Sequence, residues 1–342
     1  MNLFVIETIE EFQSLESGWN SLFQKNSKNT AFQSWSFNFK WWSVNRDQGH
    51  LHIICIGNNS KNIRFILPTY IDRKGSLTFL QYGSVDYLDA LYDNNDNILP
   101  YLKRFREYVE KVKQIKKITL HQLKCHSALL QNLPFYYRKE RYYIMQSDSY
   151  SLMRYENLDK EKILRHLKSK KIYNLKQIDK ALLTTFELYS SQEKPFPTLP
   201  IKELIDKMAK HGVREQTIFH RQLDFMQKLY EDQQIFFFIQ KEGENIVSIS
   251  CLVNLDSQII MTWMDLYDPT IRYVNLKNYI HIIRYCAEKK LHFDLGTGIY
   301  PYKINNFSPS VGSLFSFYYY KSPLIFIYYF FRKTVAKAMK KI

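Results

Sequence analysis

A chain of 342 residues with 45% hydrophobic content is long enough for two domains and carries enough apolar side chain for sizeable cores. Only ten Gly and ten Pro argue against long linkers or disordered tracts, and the 16% aromatic content fits packed cores with some stacking surface. The 48 basic residues outnumber the 33 acidic ones by 15, which directs attention to acidic partners: nucleic acid, anionic lipid or a phosphorylated ligand.

The opening residues, Met1 to Glu7, lack a basic region followed by a long apolar run and do not read as a signal peptide. Helical spacing over 9–25 runs through Phe12, Leu15, Trp19, Leu22 and Phe23, and a second, aromatic helix is predicted over 34–45. Three strands follow at 51–56, 63–70 and 77–82, separated by the turn signals Asn58-Asn59 and Lys74-Gly75. The loop 83–96, a basic helix over 98–114 and a short strand at 118–121 complete the first half. The second half repeats this order. Helices near 159–182, 199–211 and 217–231 precede strands at 235–240, 246–254 and 259–266, a helix over 273–289 and a strand at 291–295. Cys55, Cys125, Cys251 and Cys286 show no metal or redox spacing and read as free thiols. The longest apolar block, 323–331, is about half the ~20 residues a membrane-spanning helix needs.

Short turns make each set of three strands antiparallel, and a helical crossover returns the next strand parallel to the third, with right-handed sense. One parallel pair inside an antiparallel run creates a crevice where the pair diverges. The crossover helix starts at that crevice, where its amides can hold a phosphate.

This layout resembles the GNAT (Gcn-related N-acetyltransferase) fold, and two copies resemble FemAB/CelD-type acyltransferases. The segment Asp294-Leu-Gly-Thr-Gly-Ile-Tyr-Pro-Tyr-Lys303 with Phe307 after it resembles that family's C-terminal signature. Trp19-Asn20 with Phe32-Gln33-Ser34 and Trp41 or Trp42, the loop Gly83-Ser-Val-Asp86-Tyr87-Leu-Asp89, and the basic stretch from Leu167 resemble three further motifs in the same order. The implied fold class is α/β (α+β), with tandem GNAT-like domains, each a mixed, mainly antiparallel sheet flanked by helices. The expected boundaries are 1–155, 156–322 and a basic amphipathic helix over 323–342. One departure stands out: the GNAT pyrophosphate loop carries glycines, whereas Asp268-Pro-Thr-Ile-Arg272-Tyr-Val-Asn275 has none.

The resemblance implies an acyltransferase that uses acetyl-CoA or another acyl-CoA and acts on a sugar or cell-envelope polysaccharide precursor, with no metal. It implies a cytoplasmic location. Lys303 is then the cation that stabilises charge developing on the acyl oxygen, with Tyr302 beside it. Asp86 is the base that takes a proton from the nucleophile, the structural alternative being a turn or helix cap. Arg272 and the amides of Tyr273, Val274 and Asn275 form the anion site of the cofactor. Asp294, Tyr87 and Trp263 line the acceptor cleft; for Asp294 holding the loop, and for Trp263 core packing, are the plainer roles. The basic helix 161–180 contacts a phosphorylated acceptor or is a solvated face. The tail 323–342, with five cations from Arg332 onward, lies on an anionic membrane surface or packs on the protein. Two other functions fit the sequence: aminoacyl-tRNA-dependent transfer to a peptidoglycan precursor, and a non-catalytic basic scaffold.

Overall fold

The computed structural model describes residues 1–154, 184–213, 216–307 and 309–328; the basic helix expected over 161–180 and the tail beyond 328 lie outside them. The described chain falls into two compact units. One comprises 1–148 with the stretch from Ser313 onward, and the other 149–312. The sequence expectation instead sets the boundary at 155 and keeps 313–322 with the second half.

The first unit opens with β1 (Asn2–Ile6), α1 (Ile9–Ser14), α2 (Glu16–Gln24) and α3 (Trp35–Val44). Thr8 caps α1 in a reciprocal capping box with Glu11. Phe12, Trp19, Phe37 and Trp41 bury the inward faces of these helices. Two sheets follow where the sequence suggests one. β2 (Gly49–Leu51), β3 (Ile53–Asn59), β4 (Asn62–Leu67), β5 (Thr69–Asp72) and β6 (Ser76–Phe79) sort between them, together with β7 (Leu91–Tyr92). The first sheet has the order β1-β3-β4-β7. In the second, β2 and β5 pair, β5 continues to β6, and β6 runs parallel to β8 (Lys117–Lys124). Pro68 explains the division of the strand expected over 63–70. It brings no N–H to a ladder, so β4 and β5 part on either side of it and join different sheets. α4 (Leu99–Lys111) is the crossover between β6 and β8, and α5 (Ala128–Asn132) leads towards β9 (Tyr142–Met153).

In the second unit, the order is β10 (Thr185–Tyr189), β11 (Ile235–Glu242), β12 (Asn245–Asn254), β13 (Ile259–Tyr267), β14 (His292–Thr297), then the end of β9. α6 (Thr198–Lys210) and α7 (Gln216–Glu231) precede β11, and α8 (Val274–Lys289) is the crossover from β13 to β14. α8 buries Tyr279, Ile280, Ile282, Ile283 and Cys286 against Leu252, Ile260, Phe293 and Leu295 of the sheet. After α9 (Pro301–Phe307), β15 (Ser310–Tyr320) enters the first unit and pairs antiparallel with β8 from Leu314↔Lys124 to Tyr320↔Lys117. The fold is thus mixed α/β with mainly antiparallel sheets flanked by helices. Cys55, Cys251 and Cys286 are buried free thiols, and Cys125 is exposed. Among the described residues no helix is long and apolar enough to cross a membrane.

Gly18 marks a tight contact in the first unit. A Cβ there would collide with the backbone oxygen of Ser60, at the turn between β3 and β4. Gly18→Ala is expected to cost about 1–3 kcal/mol as α2 is forced off the sheet, seen as a lowered Tm in scanning calorimetry.

Candidate active site

In the second unit the parallel pair β13–β14 lasts for Ile259↔His292, Ile260↔Phe293 and Met261↔Asp294. On its other side β14 pairs with β9 at Phe293↔Met153 and Asp294↔Leu152 and, after a register shift, continues with it alone to Thr297↔Tyr150, while β13 stays with β12 as far as Tyr267. The strands therefore part at Met261 and Asp294. Two glycines make the departure feasible. Gly296 and Gly298 sit at φ 74 and 87, a region that other residues enter only with strain. The Gly298 amide donates to Ser149 O at 2.8 Å.

A hydrogen-bonded chain occupies this divergence. Asp265, four residues past the split on β13, accepts at Oδ1 from Ser250 Oγ at 2.6 Å and at Oδ2 from Tyr279 OH at 2.5 Å. Asn278 Nδ2 donates to the hydroxyls of Ser250 and Ser248 at 2.7 and 3.2 Å. The hydroxyls of Tyr279 and Tyr302 are hydrogen-bonded to each other. With the Tyr279 proton directed at Asp265, Tyr302 donates to Tyr279. The chain so runs from buried Asn278 out to Tyr302, which is 37% exposed. Burial first, then the Asp265 charge, pushes both phenols up, so both hydroxyls stay protonated. The Tyr300 ring stacks on Tyr302 with centroids 5.9 Å apart.

Lys303 takes up a different first task from the one expected of an oxyanion-stabilising cation. It is buried, and its Nζ donates to Leu295 O at 2.6 Å and Thr297 O at 2.9 Å. It bolts α9 to the end of β14 and so fixes where Tyr302 stands. Asp294 is buried too and accepts the Gly296 amide at 2.8 Å, holding the same turn. Trp263 is nearly buried and meets the edge of Phe225 at 5.7 Å, a core position.

The start of α8 is built by Asp268. Its Oδ1 accepts from the Thr270 amide at 3.0 Å and hydroxyl at 2.6 Å, and its Oδ2 from Lys207 Nζ at 2.7 Å. Tyr273 then precedes α8 in the left-handed region at φ 65, a conformation that costs a non-glycine residue about 1 kcal/mol or more. The exposed Arg272 lays its guanidinium 4.5 Å from the Tyr273 ring centroid. Val274 is buried, and Asn275 Oδ1 is a buried acceptor with no hydrogen-bond partner among the described residues. The positive end of α8 beside Arg272 suits an anion.

Asp86 and Tyr87 belong to the first unit. There the parallel pair β6–β8 also lasts three positions, Ser76↔Lys117 to Thr78↔Thr119, but the loop after β6 stitches the divergence shut. Gln81 turns it at φ 64 and donates from Nε2 to Phe32 O at 2.7 Å, and the Leu88 amide donates to Gln122 O at 3.2 Å. Tyr87 is buried with Lys124 Nζ 4.0 Å above its ring. Nearby Asp89 has its carboxyl pushed up to about 6 by burial, against the pull of Ser127, the Ala90 amide and Lys124. The cavity lined by Asn29, Gln33, Tyr87, Asp89 and Lys124 measures about 40 Å³, room for water and little more.

No family model matches the sequence, and no curated protein matches it. Solved structures do. A C-terminal DUF2156 domain from Agrobacterium fabrum, described as that of a lysylphosphatidylglycerol synthetase, aligns at TM-score 0.59 and 13% identity over 90% of this chain and 91% of its own. L-PGS from Bacillus licheniformis aligns at TM-score 0.57 and 11% identity, covering 92% and 94%. A tandem GNAT protein from the clavulanic acid biosynthesis pathway aligns at TM-score 0.50 and 8% identity, covering 92% and 98%. At these identities the likeness is one of fold. This chain has a tandem GNAT-like fold.

The Lys207–Asp268 pair makes a pH-dependent contribution to stability. Burial opposes ionisation of Asp268, but its hydrogen bonds and the Lys207 charge outweigh that and hold its carboxyl below the ordinary 3.8. A depressed carboxylate stabilises the fold fully above the unfolded value and loses that contribution as pH falls through the folded one. Lys207→Met is therefore expected to lower Tm at neutral pH, with the deficit shrinking away as pH falls below 3.8.

Proposed function

We propose that this protein is an acyltransferase whose acyl donor enters the crevice between β13 and β14 and whose acceptor is an amine or hydroxyl of a sugar or other cell-envelope precursor. The observation that carries this reading is the proton path Tyr302–Tyr279–Asp265, which ends on a partly exposed hydroxyl at the divergence. The best-supported donor is acetyl-CoA or another acyl-CoA. Arg272 and the first amides of α8 suit its phosphates, and Asn275 Oδ1 is an acceptor in want of an amide N–H. The absence of glycine at this helix start leaves less room for close backbone approach than the usual pyrophosphate loop.

In the proposed reaction the nucleophile attacks the acyl carbonyl carbon, the new C–N or C–O bond forms, and the C–S bond breaks. Tyr302 accepts the nucleophile's proton as it passes its own to Tyr279, and Tyr279 passes its own to Asp265. The same path run backwards returns the proton to the leaving thiolate, so the protein ends as it began. Lys303 and Asp294 act as positioning residues by fixing the turn that carries Tyr302. An acyl-CoA donor implies a cytoplasmic site of action.

A second donor is favoured by a specific observation: one of the structures above is described as the C-terminal domain of a lysylphosphatidylglycerol synthetase and another as L-PGS, and the alignment covers 91% and 94% of those chains. With a net charge of +15 and no glycine at the start of α8, this supports transfer of an aminoacyl group from aminoacyl-tRNA to an envelope lipid or peptidoglycan precursor.

Tyr302→Phe and Asp265→Asn are each expected to lower kcat about 10²-fold with little change in KM, measured by release of free thiol against a panel of amino sugars. Unchanged kcat in both would remove the relay. Stabilisation of the protein by acetyl-CoA in a thermal-shift titration is the expected outcome for the first donor. Stabilisation by aminoacyl-tRNA alone establishes the second, and neither donor binding leaves a basic scaffold as the better account.

A further inference from the structure

The chain leaves β15 through Lys321 and Ser322 into a helical segment over 323–328 that is firmly attached at one point and open elsewhere. Lys321 Nζ donates to Val112 O at 2.7 Å, capping the end of α4, and Arg141 Nη1 donates to Lys321 O at 3.1 Å. Ser322 O accepts the Phe326 amide at 3.1 Å and starts the turn. Phe326 points inward, its ring 6.0 Å from Tyr320 and 6.2 Å from Tyr143. The residues around it do the opposite. Leu324 is 76% exposed, Tyr328 59%, Ile327 48% and Ile325 39%. Soluble surfaces rarely gather four large apolar side chains on one short segment without a use for them.

The surroundings are basic. Leu324, Ile325 and Tyr328 line one open hollow of about 420 Å³ together with Lys74, Lys116 and Lys117. Lys74 lies in the β5–β6 turn, and Lys116 and Lys117 lie where β8 begins, so three lysines from two separate elements converge on one apolar ledge. The sequence continues with Arg332, Lys333, Lys337, Lys340 and Lys341.

We propose that this ledge docks the protein on the surface of an anionic lipid bilayer. Leu324, Ile327 and Tyr328 would enter the headgroup–acyl boundary while Lys74 and Lys116 meet lipid phosphates. The charge pattern selects this occupant over a second copy of the chain. A two-fold contact through the same face would bring both sets of lysines together, and like charges facing each other oppose association. The proposal is independent of which donor the crevice takes.

Sedimentation of the full chain with vesicles tests it. Binding is expected to vesicles of phosphatidylcholine with phosphatidylglycerol, to weaken with added salt, and to be absent with phosphatidylcholine alone. Leu324→Glu with Ile327→Glu, and separately Lys74→Glu with Lys116→Glu, are each expected to weaken binding about tenfold while leaving Tm and transfer to a soluble acceptor unchanged. These positions are exposed, so the variants fold. No binding to anionic vesicles, or equal binding to both vesicle types, overturns the proposal. So does self-association in sedimentation velocity that Leu324→Glu abolishes, since the ledge would then be a contact between copies.

Discussion

A single short parallel pairing governs the second unit. Every other contact between its neighbouring strands is antiparallel and needs only a tight turn or a neighbour's return, but β13 and β14 run the same way. That forces a helical crossover, and the crossover places the amino end of α8 at the edge of the sheet. Because the pairing stops after Met261, β13 runs on without β14 alongside. Polar side chains that would be costly in an apolar core, Asp265 on β13 and Asn278 on α8, are accommodated there through the Ser250 hydroxyl, which accepts from Asn278 and donates to Asp265.

The first unit follows the same plan and reaches a different end. Its parallel pair is the same length, and its crossover helix α4 sits in the same place in the order. What differs is the loop leaving the third strand. In the second unit the chain from Tyr267 to Arg272 is drawn into its own turn by Asp268, away from the divergence. In the first, the longer loop bends back through Gln81 and bonds to Gln122. Equivalent topology thus leaves one divergence stitched by backbone and the other occupied by a polar chain. The path of a loop, more than the order of the strands, is what sets the two halves apart.

Much of this was legible in the sequence. Period-two alternation and clear turn residues place β11, β12, β13 and β14 within a residue or two of where they stand, and helical spacing does the same for α8. The short parallel pair β13–β14 followed from the element order alone. The split of the first half into two sheets did not, because the run 63–70 reads as one apolar strand until the missing N–H of Pro68 is weighed. Nor did Asp265 and Tyr279. Their signal was present but faint: Ser248 and Ser250 alternate on one face of β12, and a carboxylate inside the next strand demands partners. Periodicity identifies faces, whereas it cannot say that an aspartate on one strand, a serine on the next and a tyrosine on a helix converge. Lys303 shows the converse. Its motif marks it out, yet its burial and its two carbonyl partners depend on the positive-φ glycines at and just past the end of β14, Gly296 and Gly298, whose geometry no spacing rule supplies.

The return of β15 to the first unit bears on how the protein is made. β8 has β6 on one side and β15 on the other, and β15 lies nearly two hundred residues further along the chain. During synthesis from the amino end, the first unit must wait with one side of β8 unpaired while the whole second unit emerges. The last strand is therefore a latch. The half that is translated first is the half that is finished last, and a ribosome that stalls before Ser313 releases a chain with an open edge, ready to pair with its neighbours.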